Sequence, residues 1–544
     1  MSVFIGYPSF MAYQMMKGKK GNNDGFPSIP GMIARYSALG LTNEQMAANP
    51  VWVDKTGNGH DLQMKNFSWS GISGVGGYVT NKDIYEYDLD RYLYTFIESS
   101  TKVHDFYIVF ELIGYDENFK DGFNLDTRSI SQGLKYRKTY TKNGIYIFQY
   151  KDEEGLDDLF AIGYNGNGGA RSNFTVKILP LYPGFILGDG VDDFAVTEKE
   201  LNFEDTYTVY TAFIPFQDDP ARNMMMAGKD IKDFYMNYSS INALSYYSGN
   251  KSVVINLSNG FNLLCCKRDA DNMTIKNLIT GDSVTATANE FINNPGLCYL
   301  WRVANGYSYA RLAIAGQTIC NGYFSTDEDD EKVLDWYKKQ YPWLFFDQAW
   351  TVTGKTNEDE DRATIANITG NGNNLVLSNF GFAEGSGYNE EGEYAGYLVT
   401  DGVDDKVQSS SFTMNEDWTI VGDWELLSNV QINCGIVKAQ NVYLYNTANG
   451  LLISINNPRS LQSFGIKSLH AICSDGRLYD RNWVEYKYTA DQNFSIVESS
   501  LNIGFNLNNY TQMAFKNLGI YNNQLLSKDD CIKAYNYLQT LKAK

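Results

Sequence analysis

The stretch FILGDGVDDFAV (residues 185–196) decides the fold, because its core DGVDD returns in YLVTDGVDDKVQ (residues 397–408). In both copies a spacer ending in Glu-Asp follows, and then a strand-like run. Apolar residues alternate along each run, which is typical of a strand with one buried face. The residues predicted to share that face are Tyr207, Val209 and Phe213 in the first run and Trp418, Ile420, Trp424 and Leu426 in the second.

A second landmark precedes each DGVDD and indicates that a whole module is duplicated. TGNGHDLQMKNFSW (residues 56–69) matches TGNGNNLVLSNFGF (residues 369–382). The first TGNG lies farther from its DGVDD than the second does, by about 100 residues. This excess predicts a domain inserted into the first module, since surface loops tolerate insertions. Strand-like runs within the insertion favour a small antiparallel β-sandwich.

Both modules end with a strand, a turn and a short amphipathic helix, in residues 312–344 and 513–541. Ser325 and Ser527 are predicted to be the N-caps of these helices, because a serine hydroxyl can accept a hydrogen bond from a free N–H of the first turn. Acidic residues follow each serine and complement the helix dipole.

These landmarks divide the chain into an arm, a split module, an insertion and an uninterrupted module. The segment LFFDQAWTV (residues 344–352) joins the modules with no Gly or Pro, which predicts a stiff joint. The predicted parts are an N-terminal docking arm at residues 1–32, the first module at 33–79 and 184–344, the inserted sandwich at 80–183, and the second module at 345–544.

The composition excludes several classes of function. A net charge of −19 without a clear basic patch argues against nucleic acid as a partner. Apolar runs stay too short for a membrane-spanning helix, so no membrane insertion is expected. Seven scattered cysteines favour free thiols and assembly in a reducing compartment. The 40 Tyr, 30 Phe and 9 Trp suit pleated strands and contact surfaces.

The ordered combination of TGNG, DGVDD and a closing GIYN–Ser–helix resembles the laminin-G-like, or concanavalin A-like, jelly roll. The resemblance covers both modules but neither the insertion nor the arm. It implies an all-β fold: tandem concanavalin A-like (laminin-G-like) jelly-roll sandwiches, the first with an inserted small β-sandwich, each closed by a short helix. Two longer phrases, residues 40–67 and 350–380, resemble virion proteins of crAss-like and related Bacteroidales phages, and proteins of their hosts. That resemblance implies a virion structural protein such as a head or tail fibre.

The DGVDD pentapeptide has two interpretations. Asp-Gly at a strand end is turn chemistry, because Gly supplies backbone freedom and Asp bonds its local backbone. Carboxylates also suit Ca²⁺, which some laminin-G-like domains bind. The candidate metal ligands are Asp189, Asp193, Asp401 and Asp405. We expect no required cofactor, with Ca²⁺ as the one candidate ion.

A polysaccharide hydrolase is the distant alternative, and we expect no enzymatic activity. The densest acid runs, residues 327–331 and 357–361, lack the ExDxE strand pattern of laminarinase-like jelly rolls. The first run begins a predicted helix, where acidic residues are expected. His60, His104 and His470 lie far apart in sequence, so neither a histidine triad nor a zinc site is supported.

The sequence therefore predicts a phage fibre or capsid-decorating subunit that exposes lectin-like jelly rolls. Its expected partners are other virion proteins, reached through the arm, further copies of itself, and host capsular polysaccharide. The expected location is the virion, assembled in the host cytoplasm. A glycan-binding adhesion protein is the alternative, since sugars stack on aromatic rings. The aromatic candidates are Trp69, Tyr247, Trp301, Trp418 and Trp424, of which the last two are predicted to lie in the core.

Overall fold

The computed structural model is almost entirely antiparallel β-structure, and its described part contains three α-helices. Of these helices, none is long and apolar enough to cross a membrane. The described residues are 24–69, 73–76, 84–87, 94–97, 106–115, 123–129, 133–140, 142–150, 158–164, 174–216, 223–227, 234–240, 243–258, 260–289, 291, 295–302, 309–383, 385–392, 394–427, 434–439, 442–447, 450–455, 462–463, 468–487, 497–503, 505–506 and 509–543.

The elements follow one another with short connections. The helices are α1 (Asn43–Ala48), α2 (Asp327–Gln340) and α3 (Lys528–Thr540), with a 3-10 turn at Pro342–Leu344. The strands are β1 (Met32–Ser37), β2 (Val51–Trp52), β3 (Leu62–Lys65), β4 (Gly74–Val75), β5 (Ile84–Tyr87), β6 (Tyr94–Ile97), β7 (Phe106–Ile113), β8 (Phe123–Ser129), β9 (Gly133–Tyr140), β10 (Gly144–Tyr150), β11 (Asp158–Tyr164), β12 (Phe174–Leu179), β13 (Ile186–Asp189), β14 (Phe194–Thr197), β15 (Tyr207–Pro215), β16 (Asn223–Ala227), β17 (Phe234–Ser240), β18 (Ala243–Ser248), β19 (Lys251–Asn256), β20 (Asn262–Arg268), β21 (Asn272–Asn277), β22 (Ser283–Thr287), β23 (Cys298–Leu300), β24 (Arg311–Asn321), β25 (Gln348–Thr351), β26 (Thr364–Ile365), β27 (Leu375–Ser378), β28 (Gly387–Asn389), β29 (Tyr397–Val399), β30 (Lys406–Met414), β31 (Trp418–Leu426), β32 (Cys434–Ala439), β33 (Val442–Thr447), β34 (Gly450–Ile455), β35 (Gln462–Ser463), β36 (Ser468–Cys473), β37 (Arg477–Asp480), β38 (Glu485–Lys487), β39 (Val497–Ile503), β40 (Phe505–Asn506), β41 (Asn509–Tyr510) and β42 (Met513–Asn522).

The first module consists of two eight-stranded sheets. One has the order β22-β21-β20-β15-β24-β13-β4, with β1 also paired to β24. The other, which we call the outer sheet, has the order β19-β18-β17-β16-β23-β14-β3-β2. Side chains of both sheets meet in one core, where the Tyr207 hydroxyl lies 2.7 Å from that of Tyr246 and the ring of Phe234 lies 5.9 Å from that of Tyr207.

The second module repeats this order strand for strand. Its sheets run β38-β37-β36-β31-β42-β29-β28, with β25 paired to β42, and β35-β34-β33-β32-β39-β30-β27-β26. Trp350 and Phe412 bring the two sheets together, with ring centres 6.4 Å apart. Each module is thus a concanavalin A-like jelly-roll sandwich, which confirms the predicted all-β fold class. The seven residues predicted to share the buried strand faces all lie in the two cores.

Residues 84–179 contribute two further four-stranded sheets, β10-β7-β12-β5 and β6-β11-β8-β9. Both leave the first module after β4 and return to it at β13. The predicted boundaries of the arm, insertion and modules stay a prediction.

The joint between the modules is packed with aromatic side chains. Trp343 lies between Phe185 of the first module, at 6.3 Å, and Tyr537 of α3, at 5.6 Å between ring centres. The Tyr537 hydroxyl accepts a 2.6 Å hydrogen bond from the backbone N–H of Phe261. The Tyr341 hydroxyl donates to the carbonyl oxygen of Gly184 at 2.9 Å. This packing agrees with the prediction of a stiff joint.

The predicted arm is described only from residue 24. Asp24 forms a 2.7 Å ion pair with Arg35, and the ring of Phe26 lies 5.0 Å from that of Trp336 in an edge contact. Ile29 is buried. Residues 24–31 therefore pack on the first module itself, while residues 1–23 lie outside the described part.

One helix cap differs from the prediction. Ser527 caps α3 as expected, since its hydroxyl accepts from the N–H of Asp530. The cap of α2 is Thr326, so the prediction of Ser325 was wrong. The Ser325 hydroxyl instead donates to the buried carboxylate of Asp330 at 3.0 Å, which leaves the next residue to cap the helix.

Candidate functional site

The first DGVDD is a turn held by its own carboxylates. Asp189 Oδ1 accepts a 2.7 Å hydrogen bond from the N–H of Val191, and Asp193 Oδ2 accepts a 2.9 Å bond from the N–H of Asp189. Gly190 has a φ of +77°, a conformation that favours glycine. The Asn66 amide, from the end of the TGNG segment, donates to the carbonyl oxygen of Asp192 at 3.0 Å.

The second DGVDD reproduces this geometry. Asp401 Oδ1 accepts from the N–H of Val403 at 2.7 Å, and Asp405 Oδ2 accepts from the N–H of Asp401 at 2.7 Å. The Asn379 amide donates to the carbonyl oxygen of Asp404 at 3.0 Å. The motif therefore closes a turn and fastens it to the TGNG segment in both modules, which supports the structural interpretation.

The metal candidates lie in two groups, one at each turn. Carboxylate oxygens of Asp189 and Asp193, with Asp192, lie within 4.8 Å of one another, and the same holds for Asp401 and Asp405 with Asp404. Ca²⁺ takes six to eight oxygen ligands, and each group contributes three acidic residues from the described part of the chain. The carboxylates fit Ca²⁺ in kind but fill only part of its coordination shell, so Ca²⁺ at these residues stays a prediction.

Burial changes the acidity of both turns. Burial, together with the charge of Asp189, raises the pKa of Asp193 to about 7. Burial likewise raises the pKa of Asp405 to about 6. Both carboxyls ionise near 3.8 when unperturbed. Between the two pKa values, near 3.8 and about 7, the folded state therefore holds a proton on Asp193 that the unfolded state has released.

These pKa values predict that stability falls as the pH rises. The stability that the raised pKa of Asp193 contributes is fully present below the pKa of the unfolded state, near 3.8. It is lost as the pH rises from there through about 7. We expect the free energy of unfolding to drop by about 1 kcal/mol between pH 6.5 and 8.5. This drop can be measured by thermal melts of the wild-type chain and of Asp193→Asn. The substitution removes the group that titrates. An equal drop in both proteins would contradict the assignment, and recovery at pH 8.5 on adding Ca²⁺ alone would support a calcium site.

A different feature, a row of tyrosines, crosses the outer sheet of the first module on the face opposite its core. In β17, Phe234 and Met236 point into the core, so Tyr235 lies on the other face. Tyr235 pairs with Tyr247 of β18, and their ring centres are 5.2 Å apart.

Tyr299 of β23 completes this row. It is linked to Tyr235 through Met226 of the intervening strand, since both tyrosines pair with that residue. Tyr299 and Tyr247 both pack against Tyr235 and are partly exposed. We call Tyr299, Tyr235 and Tyr247 the tyrosine row.

An arginine cluster extends the row toward the DGVDD turn. The guanidinium carbon of Arg302 lies 4.1 Å from the ring centre of Phe194, 5.8 Å from that of Tyr299 and 5.7 Å from that of Tyr309. These are cation–π distances, which hold a positive charge against aromatic faces. All four side chains are partly exposed. We call Phe194, Tyr299, Arg302 and Tyr309 the Arg302 cluster.

Polar groups accompany the rings. Asn237 lies two residues beyond Tyr235 in β17, so it shares the face of the tyrosine row. Its amide oxygen is buried and has no hydrogen-bond partner in the described part of the protein. Burial and the neighbouring Tyr247 raise the pKa of Tyr235 to about 12, so its hydroxyl stays protonated and can donate. The face combines aromatic surface with hydrogen-bond donors and an acceptor.

The second module keeps only part of this row, because the positions that match Tyr299, Tyr235 and Tyr247 carry Asn502, Tyr443 and Ser454. Phe194 and Lys406 each follow a DGVDD directly. Two residues further on, Val196 pairs with Tyr299 in the first module, whereas Gln408 pairs with Asn502 in the second. The second copy thus has polar residues in place of Tyr299 and Tyr247 and a tyrosine in place of Tyr235. Because the second copy folds with Asn502 and Ser454 at these positions, the fold does not require Tyr299 and Tyr247.

Of the aromatic candidates from the sequence, one lies in the tyrosine row and others lie in the cores. Tyr247 belongs to the row. Trp301, Trp418 and Trp424 are core residues, which confirms the prediction for the last two. Trp69 stacks on Phe67 at 5.0 Å, away from the row.

Sequence reasoning missed most of this face. The missed residues are Phe194, Tyr235, Asn237, Tyr299, Arg302 and Tyr309. Alternation with core residues places each strand tyrosine opposite the core, but it does not show which strands are neighbours.

The remaining candidates have structural roles. The acid run 327–331 begins α2, where Asp329 forms a capping box with Thr326. In the run 357–361, Asp359 bonds Thr356 and Asp361 forms an ion pair with Lys355 at 2.6 Å. The imidazole of His470 is buried and stacks on Tyr535 at 4.1 Å, and burial lowers its pKa to about 4. His60 is half-buried, and His104 lies outside the described residues.

No protein-family model matches the chain, and no curated protein is similar to it. The chain is similar to the crystal structure of the botulinum neurotoxin serotype D binding domain, with 9% identity over 63% of this chain and 88% of that chain and a TM-score of 0.28. Domains LG4-5 of the mouse laminin α1 chain match with 10% identity over 45% of this chain and 90% of that chain, at a TM-score of 0.21.

The binding domain of botulinum neurotoxin DC, solved in complex with rat synaptotagmin II, matches with 7% identity over 91% of this chain and 99% of that chain, at a TM-score of 0.27. Similarities this distant carry no argument about function. The jelly-roll assignment rests on the strand order of the protein itself.

Proposed function

We propose that the protein is a glycan-binding adhesion protein whose first sandwich holds the glycan on the tyrosine row and the Arg302 cluster. The observation that carries the proposal is that the partly exposed Tyr299 and Tyr247, which pack on the buried Tyr235, are replaced by Asn502 and Ser454 in the otherwise matching second module. Pyranose rings present C–H faces that stack on Tyr and Phe. Their hydroxyls bond to Tyr hydroxyls and to Arg N–H groups.

We propose binding without catalysis. Glycoside hydrolysis uses a pair of carboxylates on either side of the scissile bond. None of the residues of the tyrosine row or the Arg302 cluster carries a carboxylate. The row therefore supplies surface and hydrogen bonds but no acid–base pair.

Binding of the whole chain to an array of bacterial capsular polysaccharides tests this function. We expect at least one polysaccharide to be retained, and we expect Tyr247→Ala to weaken that binding about tenfold, a loss of 1.4 kcal/mol. Tyr510→Ala is the matched control. The Lys406 ammonium of β30, the strand that matches β14, lies 5.8 Å from the centre of the Tyr510 ring. Equal binding by all three proteins would contradict the proposal.

We further propose that the protein is a virion fibre or capsid-decorating subunit that displays this face outward. The phrases at residues 40–67 and 350–380 support this role by their resemblance to phage virion proteins, and the aromatic joint suits a rigid displayed rod. Other virion proteins would dock through residues 1–32. Electron microscopy of particles with an antibody to the second module tests the location. Particles that lose the protein after deletion of residues 1–23 would support docking, and unchanged incorporation would contradict it.

A further inference from the structure

We infer that the site takes an internal stretch of a polysaccharide main chain, about four sugar units long, lying across the strands. This inference rests on the proposed glycan binding and specifies the class of glycan. It follows from the span of the site, from its exposed ends and from the continuous surface that its rings form.

The span is set by the pairing order of the outer sheet. Phe194, Tyr299, Tyr235 and Tyr247 lie on β14, β23, β17 and β18, and β16 lies between the second and third of these strands. Neighbouring strands are about 4.8 Å apart, so the outermost strands of the site are separated by about 19 Å. One strand interval is close to the advance of a polysaccharide chain per pyranose unit. A single terminal sugar would cover only a fraction of this length.

Among the described residues, both ends of the row continue into exposed or partly exposed positions. Beyond Tyr247, the next residue in register is Ser252 of β19, which is exposed. Beyond Tyr299, the register continues through Val196 to Gln63, and both are partly exposed. Short side chains on one flank and partly exposed side chains on the other let a polymer continue past the site in both directions. A site for a chain end would instead be closed on one side.

The rings form one continuous surface. Phe194, Tyr299 and Tyr309 surround Arg302 at one end, and Tyr235 with Tyr247 forms the other end. Tyr299 packs against Tyr235 across β16 and joins the two ends. A disaccharide covers only part of this surface, whereas a tetrasaccharide reaches from Phe194 to Tyr247.

The test measures affinity against chain length with the whole protein. The probes are reduced oligosaccharides of two to eight units from laminarin, maltodextrin and cellulose, together with those of any capsular polysaccharide retained in the binding screen. We expect the affinity to rise at least about tenfold from the disaccharide to the tetrasaccharide, and to change less than about twofold beyond the hexasaccharide. Tyr247→Ala should lower the hexasaccharide affinity to about that of the wild type for the disaccharide, whereas Tyr510→Ala should leave the series unchanged.

The outcomes separate this inference from the proposed function. Affinity that is independent of chain length, or that is lost when the reducing end is modified, would overturn the inference and leave glycan binding intact. Failure to bind any probe and any polysaccharide would overturn both.

Discussion

Asp330→Ala is expected to lower the free energy of unfolding by about 3–5 kcal/mol, because it breaks a buried ion pair. The Asp330 carboxylate is buried under the start of α2, where it accepts hydrogen bonds from the Tyr210 hydroxyl at 2.8 Å and the Ser325 hydroxyl at 3.0 Å. The ammonium of buried Lys267 lies 3.4 Å from its other oxygen. Removing the carboxylate leaves Lys267 buried without its counter-charge, which costs more than the ion pair itself contributes.

Chemical denaturation of the variant measures this loss. Asp327→Ala is the matched control, because Asp327 starts the same helix and pairs with Lys276 at 2.9 Å but is fully exposed, so little change is expected. The double variant Lys267→Met, Asp330→Leu should recover most of the stability, since apolar replacement of a buried ion pair is often neutral. A single variant as stable as the wild type would show that Lys267 finds water or another partner.

The second module already carries an uncharged version of this contact. Thr208 and Thr419 occupy matching positions in the two modules. Each hydroxyl accepts a hydrogen bond from the N–H of the residue just before a helix cap. Thr208 pairs with Lys267, and Thr419 pairs with Cys473. The residue four positions after the cap is Asp330 in α2 and Cys531 in α3. Cys531 is fully buried. The helix therefore docks without an ion pair in one copy, which is why the double variant is expected to fold.

Trp343→Ala is expected to uncouple the two modules and to remove about 3–5 kcal/mol of stability. The indole fills the space between Phe185 and Tyr537 and is almost completely buried. Its removal opens a cavity at the joint, where the two modules contact each other. We expect the wild type to unfold in a single calorimetric transition and the variant to unfold in two.

Trp350→Ala is the control for this result. Trp350 is equally large and buried, but it lies in the core of the second module. Its loss should lower the melting temperature without separating the transitions. Two transitions in both variants, or in neither, would contradict the role assigned to the joint.

The parts of the fold that depend on local pattern could be predicted from the sequence. Alternation along TYTVYTAFIPF and WTIVGDWELL placed Tyr207 and Trp418 in the cores, because a strand presents successive side chains to opposite faces. The duplicated landmarks identified two sandwiches. The DGVDD turn followed from the chemistry of Gly190 and Gly402, both of which adopt a positive φ.

The cap of α2 shows where local pattern was insufficient. Ser325 and Thr326 are adjacent, and either hydroxyl can cap a helix. The choice depends on Asp330, which binds the Ser325 hydroxyl from within the helix. The sequence does not reveal that this carboxylate is buried beside Tyr210 and Lys267.

The tyrosine row was beyond sequence reasoning for a similar reason. Tyr235, Tyr247 and Tyr299 are spread over three strands, and Phe194 lies on a fourth. Their proximity depends on strand order and register, which are set by pairing between distant segments. Alternation places these tyrosines opposite the core, and the matching Asn502 and Ser454 of the second module show that the fold does not require Tyr299 and Tyr247.

The dissociation constant of Tyr299→Asn for the glycan bound by the wild-type chain tests the central claim most directly. This substitution places in the row the residue type that the second module carries at Asn502, in a strand already compatible with it. We predict an affinity at least about tenfold weaker, with an unchanged melting temperature. An unchanged dissociation constant would contradict the claim that the tyrosine row holds the glycan.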